Sequence, residues 1–254
     1  MNILTSKQNG ILKIEFNRLE KKNSITSDMY RMIADAIEDG EKDKTVRVLL
    51  LCGKPEIFSA GNDLEDFMNN KDDVTDRPVA QFMRNLSGAA KPVLAAVAGA
   101  AIGIGTTMLF HCDQVYAADN AKFSMPFAKL GLCPEFASSM LLPKIMGYQR
   151  AAELLFFGEA FSAREAFDMG LVNKVLAPEE LLPYAYAQAA KLVALPPSSL
   201  RTTKSLIKAR SADAVAAQML EENKHFSAML QAPEAKEAFA AFFERRKPDY
   251  SKFS

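Results

Sequence analysis

"VRVLLLC", residues 46–52, is apolar at every position except Arg47. A strand with one wet face alternates polar and apolar residues; a run without alternation suits a strand covered on both faces, as in a parallel sheet flanked by helices. Upstream, "GILKIEFN" (10–17) places Leu12, Ile14 and Phe16 on one face of an extended chain and Lys13, Glu15 and Asn17 on the other. Ile11 is the one apolar exception, so this reads as a strand with one well-buried face. Downstream, "PVLAAVAG" (92–99), "DQVYAA" (113–118) and "LVNKVL" (171–176) read as further short strands.

Helical patterns separate these strands. "SITSDMYRMIADAIEDGEK" carries Met29, Ile33 and Ile37 at helical spacing, with Ser27 as the expected N-cap and Gly40 as the expected stop. "PVAQFMRNLSGAA" and "GYQRAAELLFFG" follow the same period, the second closing at Gly158. In "SAREAFDMG", Ser162 and Glu165 match a capping box and Gly170 the end of the helix. From Pro178 onward the chain is helical in pattern, with Pro183, Pro196, Pro197 and Pro233 as expected breaks. The result is an α/β fold: a core over 1–195 with parallel strands, and a helical region over 196–254 that buries its apolar face on the core or on another subunit. "NNKDDVTDRP" (69–78) reads as a polar, mobile loop.

Composition limits the function. Of 254 residues, 49% are hydrophobic, and Lys+Arg and Asp+Glu balance at 31 each. That balance argues against a general nucleic-acid binder, which carries a basic excess. Cys52, Cys112 and Cys133 form no C-x-x-C pair, and His111 and His225 lie far apart, so neither a zinc site nor a disulfide framework is expected. Three reduced thiols in a reducing compartment are expected instead. "MNILTSKQNG" has no signal-peptide pattern, "SKFS" is not the peroxisomal address, and no stretch nears the roughly 20 apolar residues of a membrane span. These features lead us to expect a cytoplasmic protein.

Two glycine-containing segments, "FSAGNDL" (58–64) and "AGAAIGIGTTM" (98–108), each follow a strand. They make tight turns, or they aim backbone amides into a cleft, where two converging amides form an oxyanion hole. "GIGTTM" has Met108 where a dinucleotide motif needs its third glycine, and "GAAIGIGT" lacks the phosphate-loop lysine, so neither nucleotide motif is met. No G-x-S-x-G elbow supports a serine hydrolase. Cys133 and His111 read as buried, packed side chains rather than catalysts.

The remaining candidate is Glu135, in "KLGLCPEFASS" (129–139), the single acid between Asp119 and Glu153. After Pro134 it suits the first turn of a helix, where it would be solvated and its pKa lowered. Leu130, Leu132, Phe136 and Met140 equally permit an apolar pocket, where desolvation would raise its pKa toward that of a general base. Composition leaves the two accounts open.

Together the stretches "IEFNRLEKKNSIT", "FSAGNDL", "KPVLAAVAGAAIGIG", "CDQVYAADNAKFSMPFAKLGL", "FSAREAFDMGLVNKV" and "ERRKPDY" resemble the enoyl-CoA hydratase/isomerase (crotonase) family, in its order and spacing and over nearly the whole chain. The resemblance implies a spiral of repeated ββα units with a C-terminal helical region, assembly as a homotrimer or dimer of trimers, and acyl-CoA thioesters as substrates. CoA arrives with the substrate, so no separate cofactor is implied. By position, the amides of Asn62 and Ile104 would hold the thioester oxygen. Ser59, Ala60, Gly61, Asp63 and Leu64 would line the CoA site, together with Gly103 and Gly105. The two glutamates of the family's hydratases are replaced here by Thr107 and Phe127. Glu135 instead falls where the branch acting on 3-enoyl-CoA carries its acid. The implied activity is a shift of the double bond from position 3 to position 2. Other thioester enolate chemistry, such as hydration or thioester hydrolysis with Glu135 directing water, stays open, as does a non-catalytic acyl-CoA-binding protein.

Overall fold

The computed structural model describes residues 1–69 and 78–253. The chain opens on a hairpin, β1 (Ile3–Gln8) against β2 (Ile11–Phe16), turned at Asn9 and Gly10 with φ of 50° and 78°. Two-residue hairpin turns of this kind need positive φ at both positions, which Asn-Gly tolerates best. α1 (Ser27–Lys42) leads to β3 (Val48–Cys52). From there each turn of chain gives one strand to each of two sheets and then a helical segment. β3 and β4 (Ile57–Ser59) precede α2 (Leu64–Asn69) and α3 (Pro78–Gly88). β5 (Val93–Val97) and β6 (Ala100–Ile102) precede α4 (Ile104–Thr107), which runs on as a 3-10 turn over Met108–His111. β7 (Gln114–Ala118) and β8 (Lys122–Ser124) precede α5 (Ser138–Met146) and α6 (Tyr148–Phe157). β9 (Phe161–Ser162), α7 (Ala163–Asp168) and β10 (Lys174–Leu176) close the spiral. Four helices follow: α8 (Pro178–Val193), α9 (Pro197–Ala209), α10 (Ala212–Gln231) and α11 (Pro233–Phe243).

The larger sheet runs β1–β2–β3–β5–β7–β10 and is parallel except for β1; the smaller runs β4–β6–β8–β9. This is the repeated ββα spiral with a C-terminal helical region that the resemblance implies. β3 is buried at all five positions, as its unbroken apolar run demands. Leu49 and Leu51 face Ile33 and Ile37 of α1 and Phe58 in one core cluster. Val48 and Leu50 join Leu94, Tyr116 and, from α8, Leu181, Ala185 and Ala189 in a second. Each such buried aliphatic side chain is worth about 1.5–3 kcal/mol of transfer free energy, which is why the sheet is the rigid frame of the molecule.

Several local expectations are corrected. Ile11 is no exception in β2: it belongs to the second cluster, so β2 is covered on both faces. Glu15 is buried with it, ion-paired to Lys13 and Lys54. Thr26, not Ser27, caps α1 by accepting from the Met29 amide at 3.3 Å. Gly40 does not stop α1, which continues to Lys42; a Cβ there would sit 2.8 Å from the methyls of Leu12 and Leu49, so glycine lets the helix lie close on the sheet. Pro183 does not break α8, because the packing of Leu181, Ala185 and Ala189 outweighs the one lost backbone bond. The Ser162–Glu165 capping box is present, and Gly158 ends α6 in the left-handed conformation. The expected loop over 69–78 falls on 70–77, outside the described residues.

The C-terminal helices bury Met219, Phe226, Ala235 and Phe239 against the core, while Leu206, Ile207, Leu220 and Phe242 remain exposed on the single chain. Among the described residues no helix is long and apolar enough to cross a membrane.

Candidate active site

The small sheet brings the two glycine segments together. β4 and β6 pair in parallel, Ile57 with Ala100 and Ser59 with Ala101. Beyond them Gly61 turns at φ 88°, and a Cβ there would lie 2.7 Å from the Ile102 carbonyl oxygen. A Cβ on Gly105 would lie 2.9 Å from the Ser59 carbonyl oxygen. The two turns therefore touch backbone to backbone, with no room for side chains between them. Gly103, at φ 56°, is the N-cap of α4. Ile104 is the first residue of that helix, so its amide has no intrahelical acceptor. Among the described residues neither the Asn62 nor the Ile104 amide donates to a protein group.

Side chains and backbone pin the first turn. Ser59 Oγ donates to the Asn23 carbonyl at 2.9 Å and accepts from the Gly61 amide at 3.1 Å. The Ala60 amide donates to the Lys22 carbonyl, and the Asp63 amide to that of Ile25. Arg18 reaches Asp63 at 2.6 Å and Ser24 Oγ donates to it at 3.0 Å. Burial pushes the Asp63 carboxyl up, but Arg18, the Asp66 amide and Ser24 outweigh it and hold it below its ordinary range. Leu64 opens α2 and packs on the main core.

Glu135 is not the solvated first-turn acid that Pro134 suggested. α5 begins only at Ser138, and Glu135 sits in the irregular segment before it, 3% exposed. Its Oε1 is fully buried and has no hydrogen-bond partner. The Asn62 side chain lies beside the same carboxyl group and favours its charged form. Tyr30 donates its hydroxyl to Asn62 Oδ1, which leaves the Asn62 NH2 free of that contact. Burial first, and then the nearby Glu222 carboxylate, push the Glu135 pKa up to about 8, against the opposing pull of Asn62. Burial also drives Tyr30 far above its ordinary range, assisted by the charge of Glu135, so it stays a neutral donor.

The chain around Glu135 is held in an unusual shape. Phe136 and Ala137, neither a glycine, lie at φ of 60° and 55°. The left-handed region costs roughly 1–2 kcal/mol for each such residue, so neighbouring groups must hold it. His111 is one: its ring stacks on Phe136 at 3.9 Å, and its Nε2 lies 2.9 Å from the Phe136 carbonyl oxygen. Burial lowers the His111 pKa to about 4, so the ring is neutral and Nε2–H donates to that oxygen. The packed histidine expected from sequence thus has a positioning contact.

The positions that the resemblance matches to the two hydratase acids contain other chemistry. Thr107 is fully buried, its Oγ1 without a partner, and Phe127 is buried with its ring edge toward Phe226 at 6.4 Å. Cys133 is no nucleophile: burial pushes its thiol up to about 11, and its Sγ points to the Glu222 carbonyl at 3.7 Å. A shallow surface cavity of about 360 Å³, lined by Arg150, Glu153, Phe157 and Glu159, contains none of the sequence-predicted site residues.

Sequence reasoning missed Tyr30 and Glu222. Tyr30 falls among the apolar stripe of α1, where a hydroxyl needs a partner. Glu222 occupies a core-facing position of α10 between Met219 and Phe226, both buried. An acid inside an apolar helical stripe was the available signal.

Fold and site together define a class. Residues 6–252 match the family described as enoyl-CoA hydratase/isomerase, and the chain belongs to that family. Over 250 residues it is 35% identical to enoyl-CoA delta isomerase 2 of Rattus norvegicus, an alignment covering 96% of this chain and 64% of the rat protein, so it spans less than two-thirds of that relative. It is 33% identical over 258 residues to 1,2-epoxyphenylacetyl-CoA isomerase of Escherichia coli (strain K12), covering 98% of each. The crystal structure of an enoyl-CoA hydratase/isomerase from Pseudoalteromonas atlantica T6c superposes with a TM-score of 0.94 at 38% identity, covering 98% of this chain and 99% of that one.

Proposed function

We propose that the protein is an isomerase that moves the double bond of 3-enoyl-CoA thioesters to position 2, with Glu135 as the sole proton carrier. The observation that carries this reading is the unpartnered, buried Oε1 of Glu135, on a carboxyl group whose pKa is pushed up to about 8. A carboxylate so placed takes the proton from C2 and is left as the acid; the electron pair passes into a dienolate. The amides of Asn62 and Ile104 hold the negative thioester oxygen. The protonated Glu135 then delivers its proton to C4, and the double bond closes between C2 and C3. Atoms balance without water, redox partner or metal, and the CoA moiety is carried by the substrate. Ser59, Ala60, Gly61, Asp63, Leu64, Gly103 and Gly105 shape the backbone against which that CoA lies.

Hydration fits these residues poorly. It needs one group to activate water and another to deliver a proton, yet Thr107 and Phe127 occupy those positions. The test is a panel of 3-enoyl-CoA thioesters of different chain lengths, followed by formation of the conjugated product, beside the corresponding 2-enoyl-CoA thioesters followed by hydration. Isomerisation should exceed hydration by at least about 100-fold, the smallest effect usually attributed to a positioned acid or base. Hydration as fast as isomerisation, thioester cleavage alone, or tight binding with no turnover would each overturn the reading. The same reading assigns a homotrimer or dimer of trimers, and the exposed Leu206, Ile207 and Phe242 support a contact through the helical region.

A further inference from the structure

We infer that Glu222, on α10 in the C-terminal helical region, is the positioning residue that holds the Glu135 segment in its working shape. The inference rests on Glu135 being the proton carrier. α5 begins without a local cap, because its N-cap residue is Ala137, whose side chain can accept nothing. The Glu222 carboxylate supplies the missing acceptor from a different helix. Oε2 accepts from the Ala137 amide at 2.5 Å, and Oε1 from the Ser139 amide at 3.0 Å and from the Ser139 hydroxyl. One turn earlier on α10, Gln218 Nε2 donates to Ser139 Oγ at 2.9 Å, which leaves the hydroxyl hydrogen for Glu222. The Glu222 main-chain carbonyl faces Cys133 Sγ at the other end of the segment. One helix thus grips residues 133 and 137–139 on either side of Glu135.

A local Ser or Asp at position 137 would cap α5 at less cost than burying a remote carboxylate, which here is 5% exposed. What a local cap would not do is tie the left-handed Phe136–Ala137 step to the body of the molecule through a second helix. The other groups acting on Glu135 or packed around its segment are the Asn62 amide, neutral Tyr30 from α1, neutral His111 from the 3-10 turn and the Cys133 thiol. Burial raises Glu222 above its ordinary range, while its bonds from Ser139 and Ala137 oppose this and favour the carboxylate.

Glu222→Gln keeps the size but loses one acceptor oxygen and the charge. Its NH2 would meet either the Ala137 or the Ser139 amide, donor against donor, and release the segment. Turnover should fall about 10- to 100-fold, the cost of a misplacement near 1 Å, with KM for a 3-enoyl-CoA little changed. The rising limb of kcat against pH should move to lower pH, because Glu135 no longer has a like charge beside it. A residue that only supported the fold would lower thermal stability and active fraction without moving that limb. The experiment measures kcat, KM and the pH limb for the full chain, Glu222→Gln, Glu222→Asp and Glu135→Gln. An unchanged kcat and limb in Glu222→Gln, with Glu135→Gln inactive, would overturn this inference alone. Active Glu135→Gln would overturn the functional reading itself. If Glu222→Gln does not fold, Glu222→Asp decides: it keeps the charge but withdraws the carboxylate from the Ala137 and Ser139 amides, so lower kcat at constant KM supports the inference and wild-type kcat overturns it.

Discussion

Glu135→Gln is expected to lower isomerase turnover by about 10⁴-fold, the upper range for loss of a positioned acid–base group, while acyl-CoA affinity changes little. The substitution is nearly isosteric, so the amides of Asn62 and Ile104 and the contacts of Ser59 and Gly61 are untouched. What disappears is the group that the proposed mechanism uses to accept the C2 proton. Neither His111, held neutral with its Nε2 on Phe136, nor Cys133, with its thiol pushed up to about 11, can substitute. Tyr30 is engaged with Asn62 and driven above its ordinary range. Binding and turnover measured on the same preparation separate the two effects: weak binding would implicate the fold, retained turnover another base.

The same substitution should stabilise the protein at alkaline pH. Glu135 has a pKa of about 8 in the folded chain and 4.5 as a model carboxyl, so the folded state holds its proton more tightly. The folded state therefore binds more protons than the unfolded state between those values, and stability falls as pH rises through this window. Below about pH 4.5 the wild type and Glu135→Gln should be alike at this site; above pH 8 the wild type has the full cost of a buried charge. At 1.36 kcal/mol per unit the difference is on the order of a few kcal/mol, so chemical unfolding at pH 5 and pH 9 should show the gap opening with pH. A gap of constant size would mean that Glu135 titrates normally. A stability gain from deleting a reactive group is the usual sign of a site in which burial serves chemistry rather than folding.

The centre of the larger sheet, β2, β3, β5 and β7, was legible because these strands are long enough for burial to imprint a pattern. β3 reads as covered on both faces from composition alone, and the helical spacing of Met29, Ile33 and Ile37 marks α1. β1 escaped because it buries only Ile3 at its start and is otherwise an exposed edge; its Asn9-Gly10 turn was the usable signal. The sheet that carries the site was harder still. β4, β6, β8 and β9 are two or three residues each, too short for any period, so the glycines around them were the sole trace. Their side-chain exclusion, Gly61 against Ile102 and Gly105 against Ser59, depends on contacts distant in sequence. Glu135 was singled out as a lone acid, but its burial depends on α1, the Asn62 turn and α10, which no local window contains. The Glu222 cap lies 85 residues from its Ala137 partner, so only the fold connects them.

The account depends on a single carboxyl group carrying one proton across the allylic face without exchange with bulk water. A 3-enoyl-CoA deuterated at C2, converted in ordinary water and analysed at early turnover, tests this most directly. The predicted product carries much of the abstracted deuterium at C4. A product with C4 hydrogen drawn entirely from solvent, at any stage of turnover, would contradict it.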